Sequence, residues 1–414
     1  MNINEFVLNQ ELLGSFLYFW NESNKDKNSL GYGLIRDRAP SNPNISSIAA
    51  VGFGFTAIPI GIKRGWISYE EGYERAQGTL DTLLNNAEHV NGFYYHFLDI
   101  KSAKRVWKCE VSLIDTAIAI CGALFVGEYF GGEIRKKAEK IYKRVNWQWY
   151  FDNEKNWFYM GYTPERGFEG HWDFYAEQLM VYFLATASPT FPVASDAFYN
   201  FFRNIATYKN YRFINSWLGS IFTYQFSHAW FDLRGLIDKK GVDWFDNSIQ
   251  ATLANREFCI ENKDRFKSFN ENSWGLTACD GPYGYEGRYG SLPSGLFNNE
   301  NLVDGTVPPA GAAGSIVFTP KESTDALVFY YKSINGLFGK YGFKDAFNLD
   351  VEPHWVAEDY LGIDKGITLM MIENYKTGFV WDIFMKNEYV KRGIELVGLV
   401  ENRKKLIEKT KKII

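Results

Sequence analysis

Three acids stand in surroundings too apolar for an unpaired charge. Asp115 is the only charged residue between Glu110 and Glu128, in VSLIDTAIAICGALFV, a run that is apolar all the way round. A lone carboxylate there would cost several kcal/mol, so it faces a polar cavity or is a core aspartate tying down a neighbouring loop. Asp173 and Glu177, in HWDFYAEQLMVYFLA, read as one turn apart on a helix that runs apolar to Ala187. Like charges at that spacing repel and raise the pKa of one partner, which suits a general acid. The bland alternative is that Asp173 caps the helix and Glu177 pairs with an arginine. Asp364, in DYLGIDKGITLMMIENY, comes just before an apolar helix, where an aspartate is either an N-cap or a chemical group.

Two carboxyls across a sugar-sized hole are the apparatus for breaking a glycosidic bond: one protonates the leaving oxygen, the other activates water or attacks the sugar. No metal or cofactor is needed. With 13 Trp, 26 Tyr and 34 Phe, the chain is 18% aromatic, an excess of flat rings that fits a cleft for sugar faces. Trp20, Trp172, Trp230, Tyr283, Tyr285 and Trp355 are candidates for stacking. Arg36, Asp37, His96, His228, Arg234 and Glu286 are candidates for holding hydroxyls. A lone histidine such as His96 is more often a satisfied core or loop residue than a catalyst.

The elements that must carry these groups are mainly helical. Ser68-Tyr69-Glu70-Glu71 is a capping box, followed by Tyr73, Ala76, Leu80 and Leu83 on one face, the pattern of an amphipathic outer helix. By contrast 111–126, 179–187 and 48–62 have no polar face and must be covered on every side; Gly52, Gly54 and Ala57 allow close approach in the last, and Pro59 kinks it. Alternating outer and inner helices over 414 residues predict twelve helices in two concentric layers, an all-α (α/α)6 barrel. A superhelical stack of helix pairs has no fixed repeat to support it. The stretch 275–314 is rich in glycine, proline and tyrosine and reads as a long loop over the cleft. No composition shift marks a boundary, so residues 1–414 are expected to form one domain, ending in a lysine-rich helix over 391–414 with a solvated face.

Charge and composition exclude other classes. Forty-five Lys and Arg against 49 Asp and Glu, spread along the chain, argue against nucleic acid. No apolar run approaches the roughly 20 residues of a membrane span, which predicts no membrane insertion. Cys109, Cys121, Cys259 and Cys279 lack metal-ligand spacing and read as reduced, so no metal is expected. Glu5 and Glu11, with no lysine or arginine in the first twenty residues, do not fit a secretory leader. The protein is expected to be cytoplasmic, or exported with its leader absent from this chain. The sequence assigns no oligomeric state.

The strings SSIAAVGFGFTAIPIGIKRGWIS, GFYYHFLD, SLIDTAIAICGALFVGEYF, WDFYAEQL, YQFSHAWFD, WGLTACDGPYGY, DGTVPPAGAAGSIVFTP and YLGIDKGITLMMIENYKTGFVW, in this order, resemble the glycoamylase-like family. That family includes bacterial endo-β-1,2-glucanases, and a related domain occurs in cyclic β-1,2-glucan synthases. The resemblance runs from about Phe16 to Met385 and implies an (α/α)6 barrel. It implies Glu177 as the acid with Asp173 beside it, and Asp364 as the base, acting on water directly or through a substrate hydroxyl. Asp115 falls on a further family acid, although Ser112-Leu113-Ile114-Asp115-Thr116 departs from the relatives' D-x-x-E-T by one carboxylate fewer and a shorter one. The expected activity is metal-independent, inverting hydrolysis of a β-glucan, with β-1,2 as the expected linkage and an oligo- or polysaccharide as the partner. Glucan transfer or phosphorolysis, α-glucan hydrolysis and non-catalytic glycan binding are the alternatives; phosphorolysis would need a basic phosphate pocket that no motif supplies.

Overall fold

Apolar periodicity resolves into two layers of helix in the computed structural model, which describes residues 2–295 and 300–402. Thirteen α-helices lie among the described residues. They are α1 (Ile3–Asn21), α2 (Ile48–Lys63), α3 (Tyr69–Asn85), α4 (Leu113–Phe130), α5 (Gly132–Arg144), α6 (Leu179–Ala187) and α7 (Phe226–Trp230), then α8 (Trp244–Glu261), α9 (Pro309–Gly314), α10 (Pro320–Ser333), α11 (Gly362–Thr377), α12 (Phe379–Phe384) and α13 (Glu388–Val397). The most deeply buried helices stand side by side in the order α6, α4, α2, α11, α9. Amphipathic ones cover them: α13 lies on α6, α5 on α4, α3 on α5 and α2, α1 on α11, and α10 on α9. The fold is therefore predominantly helical, with one apolar core running from Val7 to Leu399. The helices are less even than twelve equal units, since α6, α7, α9 and α12 have nine, five, six and six residues.

Local chemistry sets these elements. The capping box before α3 forms as expected: Glu71 N–H donates to Ser68 Oγ at 3.2 Å and Ser68 N–H to Glu71 Oε2 at 2.8 Å. Between α2 and α4 the backbones approach so closely that a Cβ on Gly52 would strike Ile118 and one on Gly122 would strike Gly52. Helix α4 has 18 residues and is long and apolar enough to cross a bilayer, contrary to the expectation from run length, but it is spent on the interior between α2, α5, α6 and α12.

Short antiparallel strands lead into the N-termini of the inner helices. Ile45–Ser47 pairs with Phe97–Asp99 and runs into α2; Val111–Ser112 pairs with Trp157–Thr163 and runs into α4; Tyr360–Leu361 pairs with Arg38–Ala39 and runs into α11. Gly167–His171 adds to the Trp157–Thr163 strand. Side chains in the first turns of these helices therefore converge at one end of the molecule, the positive end of each helix dipole.

Four expectations need correction. Asp173 and Glu177 are not on a helix, because α6 begins only at Leu179. The Gln178 side chain takes the backbone instead, accepting from Ala176 N–H at 2.7 Å and donating to the Phe174 carbonyl at 2.5 Å, while Phe202 pins Asp173 and Tyr175 through backbone bonds. Asp364 lies inside the first turn of α11 and does not cap it; Leu361 occupies the cap. The end of the 275–314 stretch is not loop, for Pro309 starts the buried helix α9. The lysine-rich helix stops at Val397, where Gly398 takes φ +80°, and Val400–Glu401 then pairs with Leu236–Ile237; the rest of that predicted helix, 403–414, lies outside the described residues.

Candidate active site

A cavity of about 870 Å³ opens where the inner helices begin, lined by Asp37 and Arg38, by His96, by Glu110 and Asp115, and by Trp172 and Glu177. A second compartment of about 530 Å³ adjoins it, lined by Asp173, Phe174 and Trp217 among others. Glu177 lies on the wall of both, as do Met160, Gly170, Trp172, Phe222 and Tyr285. Glu177 thus sits at the junction of a charged compartment and an aromatic one.

Each acid is placed by its local backbone. Ser112 caps α4, its hydroxyl accepting the Asp115 N–H at 3.1 Å, so Asp115 is fixed in the first helical turn and lines the cavity. Ser112, where the family resemblance predicted a carboxylate, is therefore the helix cap. Glu177 follows the kinked segment that Gln178 and Phe202 hold, and Ser227 Oγ donates to its backbone carbonyl at 2.6 Å. Arg38 pairs with Leu361 across the strands, bringing the Asp37–Arg38 step beside the start of α11. Gly362 makes that approach possible, since a Cβ there would lie 2.8 Å from that of Ala50.

The electrostatics separate the acids. Burial lifts the Glu177 carboxyl to about 7, with the charge of Asp115 adding to it. Asp173, expected to supply that repulsion, does not contribute. For His96 burial opposes the charged ring, but Asp115, the bond to Glu110 and the charge of Asp37 outweigh it and lift the imidazole to about 9. Its Nδ1 lies 2.8 Å from Glu110 Oε1 and its Nε2 3.6 Å from Asp115 Oδ2. Burial also raises Asp37 against the pull of Arg38 and His96. His96, Glu110 and Asp115 present ligand atoms within 4.8 Å of one another, near enough for a cation. With no cation between them the two carboxylates favour the protonated ring, and the imidazole would have to release that proton before a nitrogen could bind a metal.

Asp364 is one layer behind this wall. Its neighbours Leu361 and Ile363 reach the large cavity, whereas Asp364 lines a separate space of about 10 Å³ with Asp345. Burial lifts Asp364 to about 6, moderated by a hydrogen bond with Asp345. Tyr285, across the hairpin from Asp280, lines the cleft while its hydroxyl proton is held by burial and by the charge of Asp364.

Of the other predicted contacts, Trp172, Asp37 and His96 reach the cleft, and Asp173 reaches the adjoining compartment. Several others are elsewhere. Trp230 is fully buried and donates to Thr56 Oγ1 at 3.0 Å, and His228 is buried against Phe245 and Phe318 with its pKa lowered to about 4 by burial, so both belong to the core. Arg36 is taken by Glu22 at 2.5 Å and by the carbonyls of Pro40 and Ser41. Arg234 pairs with Asp232 and lies over Trp381; Glu286 pairs with Arg288. Tyr283 is exposed at a hairpin tip, Trp355 packs on the small cluster of Cys279 and Tyr289, and Trp20 lines a distant crevice under Arg75.

Residues the sequence reading passed over include Arg38, Glu110, Trp107, Trp217 and Asp345. Asp345, in GFKDAFN, carried only a weak signal, because Lys344 beside it reads as a ready partner.

The Glycoamylase family model, described as "Putative glucoamylase", matches residues 169–388, which hold Glu177, Tyr285, Asp345 and Asp364. The chain belongs to the Glycoamylase family. It is 28% identical over 440 residues to an exo β-1,2-glucooligosaccharide sophorohydrolase (non-reducing end) of Parabacteroides distasonis, across 96% of this chain and 58% of that protein. The chain thus spans little more than half of that curated relative. An endo-β-1,2-glucanase of Chitinophaga pinensis, solved with sophorotriose and glucose, superposes with a TM-score of 0.85 at 29% identity, covering 96% of this chain and 99% of that one. A β-1,2-glucanase of Parabacteroides distasonis gives 0.85 at 28% identity, covering 95% and 60%. The glycoamylase-like resemblance read from the motifs is thereby established for this chain.

Proposed function

We propose that this Glycoamylase-family chain is a glycoside hydrolase that cleaves β-1,2-linked glucan or its oligosaccharides, as a single domain built on an (α/α)6 barrel. The observation that carries the reading is Glu177: a carboxyl buried at the junction of two sugar-sized compartments, keeping its proton to about pH 7. A glycosidic oxygen seated at that junction receives the Glu177 proton as the bond to the anomeric carbon breaks. Sugars on one side lie among Asp37, Arg38, His96 and Asp115; those on the other lie against Trp217, Phe174 and Trp172.

Asp364 is the proposed base. Asp115 already faces a charged imidazolium, while Asp364 combines burial with an ionisation near 6. Because it stands behind the wall, it takes the water's proton through an intervening hydroxyl and cannot attack the sugar itself. That arrangement supports inversion. The relatives named above act on β-1,2-glucans, which favours this linkage over α-glucan.

Sugar release from β-1,2-glucan and from sophorotriose by wild type and Glu177→Gln is the test. Undiminished release by the mutant removes the proposed acid, and no release from any β-1,2-linked substrate by wild type removes the linkage.

A further inference from the structure

Behind Tyr285 lies a second pair of acids. Asp345 and Asp364 line one cavity of about 10 Å³ and are 3% and 6% exposed. Asp345 Oδ2 accepts the backbone N–H of Asp280 at 2.6 Å. The remaining Oδ1 of Asp345 and Oδ2 of Asp364 are shut off from solvent and receive no hydrogen bond from another group. Two buried acceptors left without donors are expensive, and two carboxylates in contact cannot both ionise. One proton held between them removes both penalties.

The neighbouring charges do not supply an alternative. Arg38 is engaged by Asp280 at 3.0 Å and by Asp359 at 3.2 Å. Lys365, beside Asp364, is engaged by Glu11 at 2.5 Å and by the carbonyls of Tyr341 and Phe343. The remaining titratable groups facing the pair are Lys344 on the cavity wall and the protonated Tyr285 and Cys279.

We propose that Asp345 is a positioning residue: a buried carboxylic acid whose hydroxyl donates to Asp364, fixing that carboxylate and holding down its proton affinity. This rests on Asp364 being the base. Asp364 stands in the first turn of α11, where the helix dipole favours its charged form, so the proton resides on Asp345, whose carboxyl burial raises well above the ordinary range. The anchor of Asp345 is Asp280, whose side chain is held by Arg38 on the cleft wall. The pair is thereby tied to the surface that meets the sugar.

Two measurements on the full chain test this. Infrared difference spectra between wild type and Asp345→Asn at about pH 9, where Glu177 is ionised, should contain the carbonyl stretch of a protonated carboxylic acid in wild type only. Its absence from that difference overturns the proposal. In kcat/KM profiles, Asp345→Leu should move the acid limb upward by about one pH unit, roughly a tenfold loss below it, at unchanged KM. Asp345→Asn, whose amide can still donate, should keep the limb near its wild-type position. Loss of kcat in both variants with an unmoved limb also overturns it. An active Asp364→Asn would instead remove the base role while leaving the infrared result to judge the shared proton.

Discussion

Glu177 and Asp115 line one cavity, and the charge on Asp115 reinforces burial in keeping the Glu177 proton near neutral pH. Asp173, only four residues before Glu177 in the chain, faces the adjoining compartment and leaves that proton unaffected. Burial first, and then a charge on the same cavity wall, tune the proposed acid, and adjacency in sequence does not.

Removing that tuned group should separate activity from stability. Glu177→Gln is expected to lower kcat on β-1,2-glucan by about 10²–10⁴-fold. The folded-state pKa, about 7, is above the ordinary value of 4.5, so between those values the unfolded chain holds fewer protons and stability falls as pH rises. Above about pH 7 the glutamine variant should therefore be more stable by on the order of 1–3 kcal/mol, read as a higher midpoint in thermal unfolding.

Activity should have a narrow pH optimum. The proposed base must be ionised, which holds above about 6 for Asp364, and the proposed acid protonated, which holds below about 7 for Glu177. A bell-shaped kcat/KM profile with its maximum between these values is expected. A profile flat from pH 5 to pH 8 would contradict the assignment.

Glu110 should govern the charge on His96. With the charge of Glu110 removed in Glu110→Gln, the imidazole should titrate below its value of about 9 while Asp115 and Asp37 still raise it, as followed by NMR. Binding of short glucans should weaken in the same variant at pH values where the ring has become neutral.

Two tryptophans should respond in opposite ways. Trp217 is 36% exposed on the aromatic compartment, so Trp217→Ala is expected to raise KM about tenfold with little change in melting temperature. Trp230 is 0% exposed and packs on Phe53, so Trp230→Ala is expected to cost about 3–5 kcal/mol of stability without a selective change in KM.

The sequence by itself determined the helical layers and the acids. An unbroken apolar run leaves a helix no solvent face, so α2, α4 and α6 had to be interior, and a charge such as Asp115 within such a run had to meet something polar. What only the tertiary structure decided was company. Trp172 and Trp230 read alike in the chain, yet one lines the cleft and the other fills the core, because the loop or helix that covers a ring comes from distant residues. The Asp173–Glu177 step reads as a helical turn until Gln178 and Phe202 capture its backbone. Asp364 meets Asp345 and Asp280 only once three remote segments fold together, and that long-range contact is invisible in any one of them.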